Sequence, residues 1–391
     1  MKLADRVSQL KTPANLAVSA KASELQAQGK DILSLSLGEP DFNTPAHISA
    51  AAKKAIDEGF THYTAVPGIP ELRAAAAGYF NSQYGAGAGP EHIVISNGGK
   101  QSIYNIFQAL LNPGDHVLIP APYWLSYPAM VELAGAKPVI IAGSPEKNFK
   151  LTPLDLEKSV TPKTRLLVFN SPSNPTGVCY SEAEQDAIAQ WAVDKGIIIL
   201  SDEVYDRLVF DGLKPVSLCS WWKKHPEHFV IVNCAGKTFA LTGWRVGYSL
   251  ADKTLTNAMS SLQGQSTSNI CSIAQKAALA ALTGSFAETE AMRAAFERRR
   301  NLAYEMVSAW PDVVCPKPQG AFYVFPDVHR HYGARFPDSV ALCNALLDEG
   351  GVALVPGAAF GDDRCIRVSF AVSDDILEKA LTRTAQVLFR R

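Results

Sequence analysis

Residues 233–248 read Asn233-Cys234-Ala235-Gly236-Lys237-Thr238-Phe239-Ala240-Leu241-Thr242-Gly243-Trp244-Arg245-Val246-Gly247-Tyr248. They follow Phe229-Val230-Ile231-Val232, an unbroken apolar run that reads as a strand buried on both faces. Lys237 stands among small residues just past that strand, and Arg245 follows shortly after it. Open α/β sheets bind ligands in the crevice outside the carboxyl ends of their strands, which is where this lysine falls. Two readings compete. Lys237 is either a surface lysine on a polar loop or a partly desolvated amine able to condense with a carbonyl, with Arg245 as an anion clamp. The stretch alone does not separate them. A ring partner, a phosphate cradle and a substrate clamp have to come from elsewhere in the chain.

Upstream, strand and helix alternate from about residue 90. Strands are expected at residues 93–95, 116–120, 138–141, 165–170 and 196–200, with helices after residue 100 and at 125–133 and 181–194. Ser181 and Glu184 have the spacing of a capping box at the start of the last of these helices. Ile197-Ile198-Ile199-Leu200 is too continuously apolar for a half-exposed strand and suits a sheet covered on both faces. The pattern is that of a mostly parallel α/β domain.

Further upstream, a helix over residues 15–28 precedes a short strand at 32–37 and the turn-rich Gly38-Glu39-Pro40-Asp41-Phe42. Pro45 opens a helix to residue 58, and another runs from residue 68 to 84. After residue 250 helices dominate, the longest over 285–309. Strands at 321–325 and 366–370 and helices at 338–349 and 374–389 suggest a smaller α+β domain.

At 391 residues, two domains are expected. A formal charge of −1 without a long basic run argues against a nucleic-acid surface. The densest basic cluster, Glu297-Arg298-Arg299-Arg300, reads as a solvated helix face. No apolar run approaches the roughly 18–20 residues of a membrane span, and the N-terminus lacks the apolar core of a signal peptide. Seven cysteines without a Cys-x-x-Cys pair fit free thiols in a reducing cytoplasm and disfavour structural zinc; no metal site is expected.

Other stretches offer partners for Lys237. Ser96-Asn97-Gly98-Gly99-Lys100 lies between a strand and a helix, where glycines let backbone N–H groups face an anion; a plain turn is the alternative. Asn170-Ser171-Pro172-Ser173-Asn174-Pro175-Thr176-Gly177 follows a strand and can offer Asn174 to a ligand, or form a mere turn. Ser201-Asp202-Glu203-Val204-Tyr205 leaves a buried strand. Asp202 there can meet a protonated ring nitrogen and Tyr205 a phenolic oxygen, or Asp202 caps the next turn. Arg367, in an apolar run, needs an anion: a substrate carboxylate or an internal salt bridge. Trp124 offers a flat face for stacking, or fills a core.

The ordered set of Gly-Gly-Lys, Asn-Pro-Thr-Gly, Asp-x-x-Tyr, Lys-x₇-Arg and a late Arg, each after an expected strand, resembles the fold-type I pyridoxal-phosphate aminotransferases. The likeness is to the bacterial aspartate and aspartate/prephenate subgroup of class I, and it covers essentially the whole chain. It implies a mostly parallel seven-stranded sheet in a large domain over residues 45–285, with residues 1–44 and 286–391 forming the small domain. It also implies pyridoxal 5′-phosphate as cofactor. Lys237 would carry it and move the proton, Asp202 would pair with its ring nitrogen, and Tyr205 and Asn174 would hold its phenolic oxygen. Trp124 would stack on the ring, while Arg245 with Gly98, Gly99 and Lys100 would surround the phosphate. Tyr63 would reach the phosphate of a second subunit, so a homodimer with shared sites is expected. Arg367 and the Gly38 backbone would bind the α-carboxylate, with Trp124 and Asn174 beside the substrate.

Two positions depart from the family pattern. Cys234 stands where the wider family often has a phosphate-binding serine, and a thiol is the poorer donor. Residues 261–269 contain no arginine for a substrate's side-chain carboxylate; in the resembled subgroup a lysine in Gly-Gly-Lys takes that role, and Lys100 fits. Asn15 stands where that lysine's usual helper, a threonine, is expected. The implied reaction is ping-pong transamination between aspartate and 2-oxoglutarate. Prephenate, aromatic amino acids or alanine as substrate, a β-lyase on the same scaffold, and a cofactor-sensing regulator are the alternatives.

Overall fold

The computed structural model describes residues 2–8, 10 and 14–390. Its strands, in chain order, begin with β1 (Leu33–Ser34), β2 (Ile93–Asn97), β3 (His116–Ala121), β4 (Lys137–Ala142), β5 (Thr164–Asn170) and β6 (Ile198–Asp202). They continue with β7 (Phe229–Cys234), β8 (Val246–Leu250), β9 (Tyr323–Val324), β10 (Val352–Ala353), β11 (Val355–Pro356) and β12 (Ile366–Ser369). Seven of them form the main sheet in the order β2-β8-β7-β6-β5-β3-β4. The pairs from β7 through β4 are parallel, and β8 is antiparallel to both its neighbours.

Both faces of the sheet are covered, as the continuous apolar runs require. Along β5, Leu166 and Val168 enter the cluster on one face while Leu167 and Phe169 enter the cluster on the other. Helices Gly99–Leu110 and Lys253–Gly264 pack on the first face through Ile106, Phe107 and Met259. Helices Pro70–Tyr84 and Ser272–Thr283 pack on the second through Leu72 and Ala277. The expected capping box forms: Glu184 N donates to Ser181 Oγ at 3.3 Å, and Ser181 N donates to Glu184 Oε2 at 2.7 Å.

Strand β8 is not among the expected strands, because Gly247 and Ser249 break the apolar run. Burial on both sides supplies what propensity does not: Val246, Tyr248 and Leu250 are all at most 2% exposed. The strand expected from residue 196 begins at Ile198, since Gly196 (φ 67°) is the left-handed stop of helix Glu182–Lys195. The strand expected at 32–37 shrinks to β1, which pairs in parallel with β10. In the C-terminal part, β11, β12 and β9 form an antiparallel sheet, and helix Ala287–Ser308 inserts Phe296 and Val307 into the apolar cluster beneath it.

The basic cluster at 297–300 is corrected by the structure. Arg299 and Arg300 are buried, not solvated: Arg299 forks onto Asp41 at 2.7 and 2.9 Å, and Arg300 onto Asp211 at 3.0 and 2.6 Å. The acids lie far away in sequence, so the cluster alone could not reveal them. Among the described residues no helix is long and apolar enough to cross a membrane, and no group of three or more metal-ligating side chains forms.

Candidate active site

The parallel strands deliver their carboxyl ends to one edge of the sheet, and the candidate residues follow those ends. β2 runs into Gly98 and helix Gly99–Leu110, β5 into Asn170 and the proline-rich loop, β6 ends on Asp202, and β7 leads to Lys237. Arg245 arrives there differently. It precedes β8, whose reversed direction puts its first residue, Val246, opposite Asn97 at the end of β2. The result is a cavity of about 450 Å³ lined by every candidate residue except Tyr63. Tyr63 is 91% exposed and does not line it.

Lys237 lies in a one-turn helix, Ala235–Thr238, and its amine donates to the carbonyl of Gly38, which crosses from the N-terminal segment. The amine is 5.5 Å from the centre of the Phe322 ring and 6.0 Å from that of Tyr205. Burial lowers its proton affinity from the ordinary lysine value, with Cys234 and Glu39 opposing. The result is a desolvated amine in place of the surface loop lysine that the sequence left open.

Asp202 is buried and accepts from Tyr127 Oη at 2.6 Å and from Val204 N at 3.4 Å. Burial pushes its carboxyl up to about 6, against the pull of Tyr127, Val204 and Lys237. Asn170 locks the adjoining loop in place: its Nδ2 donates to the Asp202 carbonyl at 2.8 Å, and its Oδ1 accepts from Asn174 N at 2.9 Å. Tyr205 shares a 2.9 Å hydrogen bond with Tyr323, and burial raises its phenol well above the ordinary value.

The glycine turn is shaped for an anion. Gly98 has φ 84°, and a Cβ there would meet Arg245 Nη2 at 2.6 Å. A Cβ on Gly247 would meet the Gly98–Gly99 peptide at 2.4 Å. Glycine at 98 and 247 therefore lets β8, the turn and the Arg245 guanidinium close together at the start of a helix. Arg245 itself has φ 57° and donates to the carbonyls of Thr242 at 3.1 Å and Asn97 at 3.3 Å. Cys234 lines the cavity, with its thiol pushed up by burial.

Lys100 lies 5.0 Å over the ring of Trp124, which in turn meets Tyr127 edge-on at 5.2 Å. Burial first, and then the charge of Arg245, lowers the Lys100 amine from its ordinary value. Arg367, in the wall of the same cavity, is 2% exposed. It donates to the Ser36 carbonyl at 2.6 Å and to Asn174 Oδ1 at 3.2 Å, while its Nε has no partner. Tyr323 and Phe360 lie under its guanidinium at 4.5 and 4.9 Å. Among the described residues no carboxylate pairs with it, so the internal salt bridge that the sequence allowed does not form.

Tyr127, Asn170, Tyr323 and Gly247 were missed by sequence reasoning. Tyr127 falls one helical turn after Trp124, a spacing that could have drawn notice; the other partnerships join residues too distant for any local signal. None of residues 261–269 lines the cavity, and the Asn15 side chain lies outside the described residues. Lys100, Lys237, Arg245 and Arg367 face only Glu39 and Asp202 among the acids of the wall, so the cavity suits a ligand of several negative charges. A buried acid, a desolvated amine and a glycine cradle under an arginine fit the parts of pyridoxal 5′-phosphate: ring nitrogen, carbonyl and phosphate.

Comparison with known proteins gives one answer. Residues 30–383 match the family model for aminotransferase class I and II. The chain is 45% identical to an aspartate/prephenate aminotransferase of Cereibacter sphaeroides over 97% of both chains. It is 44% identical to an aspartate aminotransferase of Bacillus subtilis over 98% of both. The solved structure of Thermus thermophilus aspartate aminotransferase with maleate superposes with a TM-score of 0.94 at 42% identity, covering 99% of this chain and all of that one.

Proposed function

The chain belongs to the class I and II aminotransferases, and on that premise we propose that it moves the amino group of L-aspartate to 2-oxoglutarate with pyridoxal 5′-phosphate as cofactor. The fold is that of the type I enzymes. The observation that carries the substrate reading is Arg367, a buried guanidinium without a carboxylate partner among the described residues, lining the same cavity as Lys100. Two cations in the wall of one cavity suit a dicarboxylate, and the Thermus structure is of that enzyme with one, maleate.

When bound, pyridoxal 5′-phosphate supplies a carbonyl for the substrate amine and a ring that accepts the electron pair left by a departing proton. Asp202 would face the ring nitrogen, and the carboxylate form keeps that nitrogen protonated. Tyr205 and Asn174 would hold the phenolic oxygen, and Trp124 the ring face. Arg245 with the Gly98, Gly99 and Lys100 backbone would hold the phosphate. Arg367 and the Gly38 backbone grip the α-carboxylate and so orient the substrate Cα–H bond. Lys237, desolvated and therefore neutral more readily, would accept that proton at Nζ and give it back on the far side of the substrate nitrogen, a 1,3-shift. Lys100 takes the side-chain carboxylate.

Tyr63, exposed in the single chain, is read as reaching the phosphate of a second copy, so the working unit is a homodimer in the cytoplasm. The division into residues 45–285 and residues 1–44 with 286–391 belongs to the same reading, supported by the β1–β10 pairing. Prephenate is the second substrate reading, favoured by the name of the Cereibacter relative. Cofactor-loaded protein given 2-oxoglutarate and a panel of amino donors tests the first reading, and prephenate in place of 2-oxoglutarate as the amino acceptor tests the second. Oxaloacetate formation from aspartate with the highest kcat/KM is expected; a higher value for alanine or an aromatic donor would overturn the aspartate assignment.

A further inference from the structure

The loop that carries Tyr63 is fastened on both sides of that exposed ring. Ser272 Oγ donates to the Phe60 carbonyl at 2.8 Å, Gln263 Nε2 to the Val66 carbonyl at 3.0 Å, and Ile95 N to the Pro67 carbonyl at 3.0 Å. The grip nearest Tyr63 is that of Gln275, which is fully buried. Its Nε2 donates to Thr64 Oγ1 at 2.9 Å and to the Ile270 carbonyl at 3.1 Å, while its Oε1 accepts from Ile69 N at 2.8 Å. A buried amide with all these bonds made specifies one geometry, since any other leaves polar groups stranded. Surface loops are ordinarily mobile, and here the fixed part of the loop presents a tyrosine that contacts nothing in its own cavity.

We propose that Gln275 is a positioning residue that, through Thr64, holds Tyr63 in the pose that meets the phosphate bound by a second copy of the chain. The proposal rests on the reading of Tyr63 given above. None of the hydrogen-bond partners of Gln275 lines its own cavity, so its effect should reach the site of the partner and not its own. Gln263 is a poorer probe. Its Oε1 accepts from Ser96 Oγ at 2.8 Å, which ties it to the strand leading into the glycine cradle.

The test titrates apoprotein with pyridoxal 5′-phosphate, reading absorbance, for Gln275→Leu, Thr64→Val, Thr64→Ser and Tyr63→Phe. Gln275→Leu and Thr64→Val should each weaken cofactor affinity roughly five- to tenfold, with Thr64→Ser within about twofold of the parent. Thr64 is only half-buried, so Thr64→Val keeps the test valid if Gln275→Leu fails to fold. Hybrid dimers then assign the direction. With Thr64→Val and Lys237→Ala on one chain and a parental partner, the remaining lysine-bearing site should bind weakly. With the two changes on different chains, it should bind normally. If Tyr63→Phe weakens binding and Thr64→Val does not, the positioning role is wrong while the shared site stands. If Tyr63→Phe changes nothing, the shared site fails and the proposal with it. A loss confined to the chain that carries Thr64→Val also overturns it.

Discussion

Arg367 Nη1 donates to Asn174 Oδ1 at 3.2 Å, joining strand β12 of the small antiparallel sheet to the loop that follows β5 of the large one. The bond fixes a planar, charged group in the cavity wall with its Nε still free. A lysine there keeps the charge and loses the fork. Arg367→Lys should lower kcat/KM for aspartate by about a hundredfold, with cofactor affinity within about twofold of the parent. Steady-state kinetics and a cofactor titration check the two halves.

Lys237 is the residue whose loss should be most complete. Lys237→Ala removes the amine proposed to receive the proton, so turnover should fall by at least about a thousandfold. The variant should remain folded by circular dichroism and bind the cofactor non-covalently, without the absorbance band of the lysine-linked form.

In the proposed role, Asp202 should set a pH limit on cofactor affinity. Its carboxyl is raised to about 6 by burial, and only the ionised form favours a protonated ring nitrogen. Protonation competes with binding on the acid side, so affinity should rise with pH up to about 6 and then level, changing by at most about tenfold per pH unit below that point. Glu203, also buried and raised to about 7, titrates nearby. Asp202→Asn isolates the contribution: it should bind more weakly and lose the dependence below pH 6. A titration from about pH 5 to pH 8 reads this.

Lys100 should matter for one substrate class. Lys100→Ala should cut kcat/KM for aspartate by about ten- to a hundredfold and leave alanine within about threefold. Equal losses for both donors would show that Lys100 does not bind the side-chain carboxylate.

Gly247 is far from obvious as a cofactor determinant, yet Gly247→Ala should push the Gly98–Gly99 peptide off β8. Overpacking of this kind costs about 1–3 kcal/mol, read as a lower Tm, and should weaken cofactor binding as the cradle shifts. Relief by added cofactor at high concentration would mark the cradle as the part displaced.

The sheet was legible because β2 to β7 are apolar on both faces, a signal that needs no partner to be seen. β8 was not, because its glycine is selected by the turn lying on it and not by strand propensity. In the cavity, residues at strand ends could be picked out from position alone. Tyr127 offered only its spacing from Trp124, and Tyr323 no local signal, since their roles come from Asp202 and Tyr205, each distant in sequence. The misreading of Arg299 and Arg300 has the same cause: charge is visible locally, and the acid that neutralises it is not.

The reversal at β8 has a consequence for which molecules the protein accepts. Lys237 and Arg245 belong to one short connection between antiparallel neighbours, so the chain itself sets the separation of amine and anion clamp. That connection works as a gauge. A molecule with a carbonyl at one end and a phosphate at the other satisfies both ends only at one length, and an analogue that lacks the phosphate leaves the far end of the gauge unread.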